Sequence, residues 1–316
     1  MLLRFVPKNT NIDFIGKRYM AFVLSAIILI GSVALLFTKG LNFGIDFTGG
    51  TLIEIQVLQE QPDLGSLRND LNALELGTIS IQEFGAPNNL LIRLPQQGED
   101  SFAQQEAIET TKETLDGIFE EGIEYRRIEF VGPQVGEELQ KKGMYAVLFS
   151  ILGMLVYIWF RFEWQFSAAA IIALVHDSLA TIGLFALTQM EFNLSTVAAI
   201  LMIAGYSIND TVVVFDRIRE NLRKYKKMPV TELLNKSVNN TLSRTIMTSI
   251  TTLLALAALW AFGGEVIRGF VNALIFGIVI GTYSSIFVAA PILTFLNIRH
   301  KKQDAESSDN PEEVKA

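Results

Sequence analysis

The chain contains no cysteine, which excludes a disulfide framework, a thiol nucleophile and any cysteine-held metal. Only two histidines occur, His176 in an apolar run and His300 in a basic stretch. A soluble zinc site or a histidine-based triad therefore has almost no material. No metal and no organic cofactor are expected, and an enzyme is not. Positive charge is also scarce in the middle of the chain: between Gly40 and Gln140, nineteen Asp and Glu stand against five Lys and Arg. That distribution excludes a nucleic-acid partner.

Apolar residues are abundant. Half of the 316 residues are hydrophobic and the mean hydropathy is +0.35, more than an ordinary polar surface permits. A helix crosses about 30 Å of hydrocarbon with roughly 20 apolar residues, and six runs of that kind are present. They extend from Tyr19 to Phe37, Met144 to Phe160, Phe166 to Met190, Phe192 to Phe215, Ile246 to Phe262 and Phe270 to Leu296. The first lacks a small-x-small cleavage pattern and reads as a span, not a signal peptide.

Lys and Arg in short flanks stay on the cytoplasmic side. Lys8, Lys17 and Arg18 precede the first run, Arg161 lies between the second and third, a basic cluster follows the fourth, and Arg299, Lys301 and Lys302 follow the sixth. All fall on one side if both termini are cytoplasmic. The expected organisation is a cytoplasmic N-terminus over 1–18, a first span over 19–37 and an extracytoplasmic domain over 38–143. Five more spans follow over 144–296, with a basic loop over 216–244, and then a polar tail over 297–316. The short turns near Glu191 and Glu265 then lie outside, and the segment from Gln303 to Ala316 reads as disordered.

The acidic segment alternates strand-like and helix-like stretches. Thr51 to Val57 reads as a strand, Leu64 to Leu74 as a helix, and Thr78 to Glu83 with Leu90 to Leu94 as a strand pair around Gly85 to Asn89. A helix from Ser101 to Phe119 and a strand from Arg126 to Val131 complete βαββαβ, the order of a ferredoxin-like α+β domain. The expected fold class is thus an α-helical polytopic membrane protein with an inserted ferredoxin-like domain.

Gly205-Tyr-Ser-Ile-Asn-Asp-Thr211 places Asp210 inside an apolar helix. A lone carboxylate there costs a few kcal/mol unless it is protonated, paired or wet. Desolvation favours the neutral acid and a nearby cation favours the carboxylate, so such a group can exchange a proton. Arg244 precedes Thr245, Thr248, Ser249 and Thr252, whose spacing makes one hydroxyl stripe along the fifth span. Arg244 can pair reversibly with Asp210 or snorkel to the interface; Asp210 can carry protons or serve as a buried structural pair. Tyr206, Ser207 and Asn209 add polar groups within one turn. His176 and Asp177, in the third span, either support this site or extend a proton relay. Gly277 and Gly281 form a small-xxx-small packing pattern. The cluster from Arg217 to Lys227 is a topology determinant or a contact for anionic membrane lipid.

Two strings carry a resemblance. Gly44-Ile-Asp-Phe-Thr-Gly-Gly50, just after the first span, resembles the signature of the SecD/SecF family of protein-export membrane proteins, and Val131-Gly-Pro-Gln-Val-Gly136, just before the second, resembles its other landmark. Ordinary turns would explain the glycines but not both strings at both junctions. The junction residues are Gly44, Asp46, Gly49, Gly50, Gly132, Pro133 and Gly136.

The resemblance implies one half of a bundle of the resistance-nodulation-division type, a SecD-like partner subunit, the SecYEG channel and YajC. It further implies an unfolded secretory polypeptide as substrate, protons as the coupling ion and a place in the bacterial cytoplasmic (inner) membrane. Asp210 and Arg244 fall on positions the family uses in proton-coupled movement. Two rivals are a proton-coupled exporter of small molecules or lipids from the same superfamily, and an intramembrane protease. The junction strings weigh against the first. No protease motif surrounds Ser207 and Asp210, which weighs against the second.

Overall fold

The structure is a computed structural model and describes residues 10–58, 62–98, 101–119, 122–264 and 266–299. The expectations attached to Lys8, Glu265, His300, Lys301, Lys302 and the segment 303–316 fall outside the described residues.

In chain order, α1 (Arg18–Thr38) is followed by β1 (Asn42–Phe43), α2 (Ile45–Thr48), β2 (Gly50–Val57), α3 (Leu64–Asn72), β3 (Ser80–Phe84), β4 (Ala86–Leu94) and α4 (Ser101–Ile118). Then come β5 (Ile123–Val131), α5 (Pro133–Arg161), α6 (Trp164–Thr188), β6 (Glu191–Phe192), α7 (Leu194–Lys224), α8 (Val230–Phe262) and α9 (Arg268–Ser284). After α9 a π-helical turn, Ser285–Ala289, leads to Ile292. Six helices are long and apolar enough to cross a membrane: α1, α5, α6, α7, α8 and α9 with its extension.

The largest departure from the sequence reading lies at the expected loop 216–244. Helix α7 continues to Lys224 and α8 begins at Val230, so only the short connection between them is non-helical. The cause is a buried stripe under the charges. Phe215 and Ile218 on α7, then Leu234, Val238 and Leu242 on α8, recur every three or four residues and are buried, which is the helical period. The 31 residues of α7 span about 46 Å at 1.5 Å each, so the helix outruns the hydrocarbon and carries its charged end into water. Likewise, α5 starts at Pro133, ahead of the expected Met144, because a proline at the first helical position loses no intrahelical bond.

The chain divides into two compact units. The helical unit comprises the residues up to Gly40, Phe149–Gln189 and those from Ala198 onward. In it α1 packs on α6, and α9 packs on both α6 and α8. Phe162, Phe166 and Phe215 form an aromatic core, Phe166 and Phe215 meeting edge to face at 5.2 Å. A Cβ on Gly277 would lie 2.3 Å from Ile203, and one on Gly281 would lie 3.1 Å from Ser207. The small-xxx-small pattern is therefore a seam between α9 and α7. The segment before α1 is strapped to α8. Asn239 accepts from Ile12 N (2.9 Å) and donates to Ile12 O (2.8 Å), while Asn235 accepts from Phe14 N (2.8 Å).

The second unit holds Leu41–Leu148 and Met190–Val197. Its main sheet has the order β3-β4-β2-β5, antiparallel throughout, which is the ferredoxin-like arrangement expected from βαββαβ. One face packs Ile53, Ile55, Val57, Ile81 and Ile92 against Leu67 and Leu71 of α3 and Leu115 of α4. On the other face Leu52 and Leu91 meet Ile45 of α2. Strand β2 is therefore covered on both sides, which is why its apolar residues are not confined to one period. The turn between β3 and β4 is tighter than expected: Phe84 pairs with Ala86 across Gly85, and the residues to Asn89 belong to β4 with a register shift. Gly85 supplies the required positive φ of 78°.

Candidate functional site

The helical unit buries two carboxylates. Asp177 is fully buried, and His176 beside it is 1% exposed. Its Oδ1 meets His176 Nδ1 at 2.9 Å, and its Oδ2 accepts from Ser207 Oγ at 2.5 Å and from Ser284 Oγ at 2.7 Å. One carboxylate thus ties α6, α7 and α9 together where α9 passes into its π-helical turn, a distortion frequent at functional sites. A carboxylate with several donors is held in place far more firmly than an unpaired one. Among the described residues His176 Nε2 is buried without a hydrogen-bond partner, and its ring lies 6.1 Å from that of Tyr283. Tyr283 Oη in turn donates to Ala21 O at 2.8 Å and meets Ser25 Oγ at 3.1 Å, which extends the polar connection to α1.

Asp210 lies one helical turn beyond Ser207 on α7. It is 3% exposed, and its Oδ2 is buried without a hydrogen-bond partner among the described residues. Among the described residues neither Asp210 nor Arg244 takes part in an ion pair. Arg244 lines a cavity together with Val213, which lies one turn beyond Asp210 on α7. It stands well inside α8, not at the first turn of a span as expected, and it is exposed. The two groups form no ion pair with each other among the described residues, and a proton on Asp210 or a cation brought close to it would each compensate the carboxylate.

The expected hydroxyl stripe on α8 is only partly available. Thr248 and Thr252 donate to carbonyls of their own helix, as hydroxyls in helices commonly do. Ser249 joins Thr282 of α9 at 2.7 Å, and Thr245 Oγ1 is buried without a hydrogen-bond partner among the described residues. On α7 the polar neighbours of Asp210 separate: Ser207 binds Asp177, Tyr206 Oη is likewise buried without a partner among the described residues, and Asn209 is exposed.

The junction motifs meet in the second unit. Residues 44–50 are not a bare turn: α2 occupies Ile45–Thr48, and Gly49 and Gly50 follow at φ 69° and 106°. Asp46 Oδ2 accepts from Leu194 N at 2.9 Å and so satisfies a free donor at the start of α7. Gly136, in the first turns of α5 that begin with Gly132 and Pro133, comes so close that a Cβ would lie 3.5 Å from Gly49 N. Strands β1 and β6 pair in parallel beside the motif. Arg93 closes the group, donating to Asn42 Oδ1 at 2.7 Å and lying 3.2 Å from Glu191 Oε2. Arg93, Glu191, Thr282, Tyr283 and Ser284 were not singled out by the sequence. Each is an ordinary residue locally and gains its role from a partner far away in the chain.

An α+β unit inserted after the first of six apolar helices, with two carboxylates buried among those helices, defines a multi-pass membrane protein with an ionisable interior. Residues 110–299 match the family described as "Protein export membrane protein SecD/SecF, C-terminal", and residues 34–57 match the SecD/SecF GG motif. The protein translocase subunit SecF of Rickettsia rickettsii is 48% identical over 96% of this chain and 98% of its own. SecF of Rickettsia bellii is 48% identical over 95% and 98%. The chain belongs to the SecD/SecF family, among its SecF members. Among solved structures, SecDF of Thermus thermophilus, a translocon-associated membrane protein, is 35% identical with a TM-score of 0.81. That match covers 92% of this chain and 39% of SecDF, so this chain spans well under half of that longer protein.

Proposed function

We propose that this chain is an auxiliary subunit of the bacterial protein-export machinery that uses the proton gradient to promote passage of unfolded secretory polypeptides across the cytoplasmic membrane. A SecD-like subunit completes the assembly, which works with the SecYEG channel and YajC. The names of the 48%-identical relatives support the export role, and the longer SecDF protein, which includes a SecF-like part, supports the SecD-like partner. The helices support it too. Asn209 is exposed on α7, and only 11% of the apolar stretch of α5 and 17% of that of α8 are buried. Polar groups at membrane depth need protein or water over them, and a second set of helices would supply it. The arginines at the Arg161 and Lys224 ends of α5 and α7 support cytoplasmic termini and an extracytoplasmic second unit.

The observation that carries the mechanism is the isolation of Asp210, buried with an Oδ2 that has no hydrogen-bond partner among the described residues, while Arg244 on the next helix forms no ion pair there. Protonation removes a buried charge; deprotonation leaves a carboxylate that draws Arg244. The two states favour different fits of α7 against α8, and alternation between them moves the extracytoplasmic unit while it holds substrate. Each proton driven through 100 mV releases about 2.3 kcal/mol, which is enough to bias such an equilibrium substantially.

The test is Asp210→Asn, reconstituted with the partner subunit and the channel. The variant is expected to assemble and to lose gradient-dependent stimulation of export. Full stimulation by the variant would remove Asp210 from the mechanism. Crosslinks from the second unit to a stalled secretory chain separate this function from export of small molecules, which would yield none.

A further inference from the structure

We propose that the arginine-lined cavity beside the C-terminal turns of α7 is a binding site for a phosphate-type oxyanion, supplied by an acidic lipid headgroup or by free phosphate. The cavity has a volume of about 690 Å³ and is lined by Arg161, Arg217, Arg219, Arg223 and Arg244, with Asp216 and Glu220 as its only carboxylates. Three positive charges are therefore in excess. The carboxylates are already engaged. Asp216 takes Arg161 through two contacts of 2.6 Å, with Arg219 at 3.9 Å, and Glu220 takes Arg217 at 2.7 Å.

Arg223 and Arg244 are left without an ion pair among the described residues. A guanidinium presents a planar fork of donors that matches two oxygens of a phosphate, and like charges sharing a cavity favour an anion between them. The other walls are held in place: the guanidinium groups of Arg161 and Arg219 lie over the Phe162 ring at 4.9 and 5.5 Å. An exposed tryptophan marks the depth of the site. Trp159, 68% exposed, stands two residues before Arg161 on α5, and tryptophan, with its polar ring N–H, settles at headgroup level in a bilayer. The site thus combines excess positive charge, room for a headgroup and the depth at which lipid phosphates lie. It does not depend on the export role.

The test uses the full chain purified in mild detergent, with bound lipid counted by native mass spectrometry after addition of phosphatidylglycerol or phosphatidylcholine. Wild type is expected to retain phosphatidylglycerol preferentially, and Arg223→Gln to lower that retention about tenfold, the effect of one charge-assisted hydrogen-bonding group. Arg223→Lys should recover part of it. Lys226→Gln, an equal charge change outside the cavity, should leave retention unchanged. Inorganic phosphate separates the sources: displacement of the lipid shows that a free oxyanion suffices, and failure to displace it assigns the site to the lipid. Equal retention of phosphatidylcholine, retention unaffected by Arg223→Gln, or an equal loss with Lys226→Gln would each overturn the proposal.

Discussion

Ser207 donates a hydrogen bond of 2.5 Å to Asp177, thirty residues earlier in the chain, and Ser284 donates to the same oxygen at 2.7 Å. One carboxylate oxygen therefore sets α7 against both α6 and α9. Because Ser207 lies one turn before Asp210 on α7, the junction also fixes the position of the buried acid. Ser207→Ala and Ser284→Ala are each expected to lower stability by about 1–2 kcal/mol. The double variant should depart from additivity, since both hydroxyls serve one acceptor. Thermal unfolding of the four proteins in detergent measures the coupling; strict additivity would show that the two bonds act independently.

Gly50 combines a φ of 106° with a backbone oxygen, that of Leu94, 2.4 Å from where a Cβ would be. Gly50→Ala should therefore cost several kcal/mol, from strain and overlap together. Gly40 has a φ of 69° but open space around it, so Gly40→Ala should cost only about 1 kcal/mol. Comparing the thermal midpoints of the two variants checks the contrast, and equal losses would refute it.

Gly277 leaves room for Ile203 of α7. A bulkier residue must push α9 away from α7, so Gly277→Val should destabilise by about 1–3 kcal/mol. Ile203→Ala introduced beside it should return part of that loss by vacating the space. A double variant no more stable than Gly277→Val alone would mean that the seam does not carry the effect.

Tyr125 Oη donates to Asp116 Oδ1 at 2.9 Å and to Lys112 O at 3.2 Å. Burial and the neighbouring Asp116 carboxylate raise its phenol above the usual tyrosine value of 10.0. The folded state thus favours the neutral phenol. Its contribution is fully present below the unfolded value, about pH 10, and is lost as pH rises through the higher folded value. Stability of the second unit should fall at alkaline pH more steeply in wild type than in Tyr125→Phe. Melting curves recorded across that range measure the difference; superimposable pH profiles would exclude the effect.

The helices were legible because the bilayer imposes a length and an apolar composition that few other environments require. The ferredoxin-like unit was legible because β2 to β5 and their helices alternate in an order that few topologies share. Other features were not. The stretch from Asp216 to Lys224 looked like a loop because its charges are conspicuous, whereas Ile218 and Asn221, buried beneath them, show that it continues a helix. Arg244 looked like a helix-start residue for the same reason. Ser284 and Arg93 gave no signal, since a hydroxyl or a guanidinium becomes significant only when a distant partner arrives.

By itself the sequence determined the six apolar helices, the βαββαβ order of the inserted unit and the presence of an acid in an apolar helix, because hydropathy, charge and period are properties of short stretches. Only the tertiary structure decided that Asp177 is the tied carboxylate and Asp210 the unpaired one, and that Gly49 and Gly136 bring the two junction motifs together. Those outcomes depend on which side chains meet across separations of 30 to 107 residues along the chain. Within the low-dielectric helical unit, hydrogen-bond donors within reach make Asp177 a fixed structural joint, whereas among the described residues Asp210 Oδ2 has no such partner.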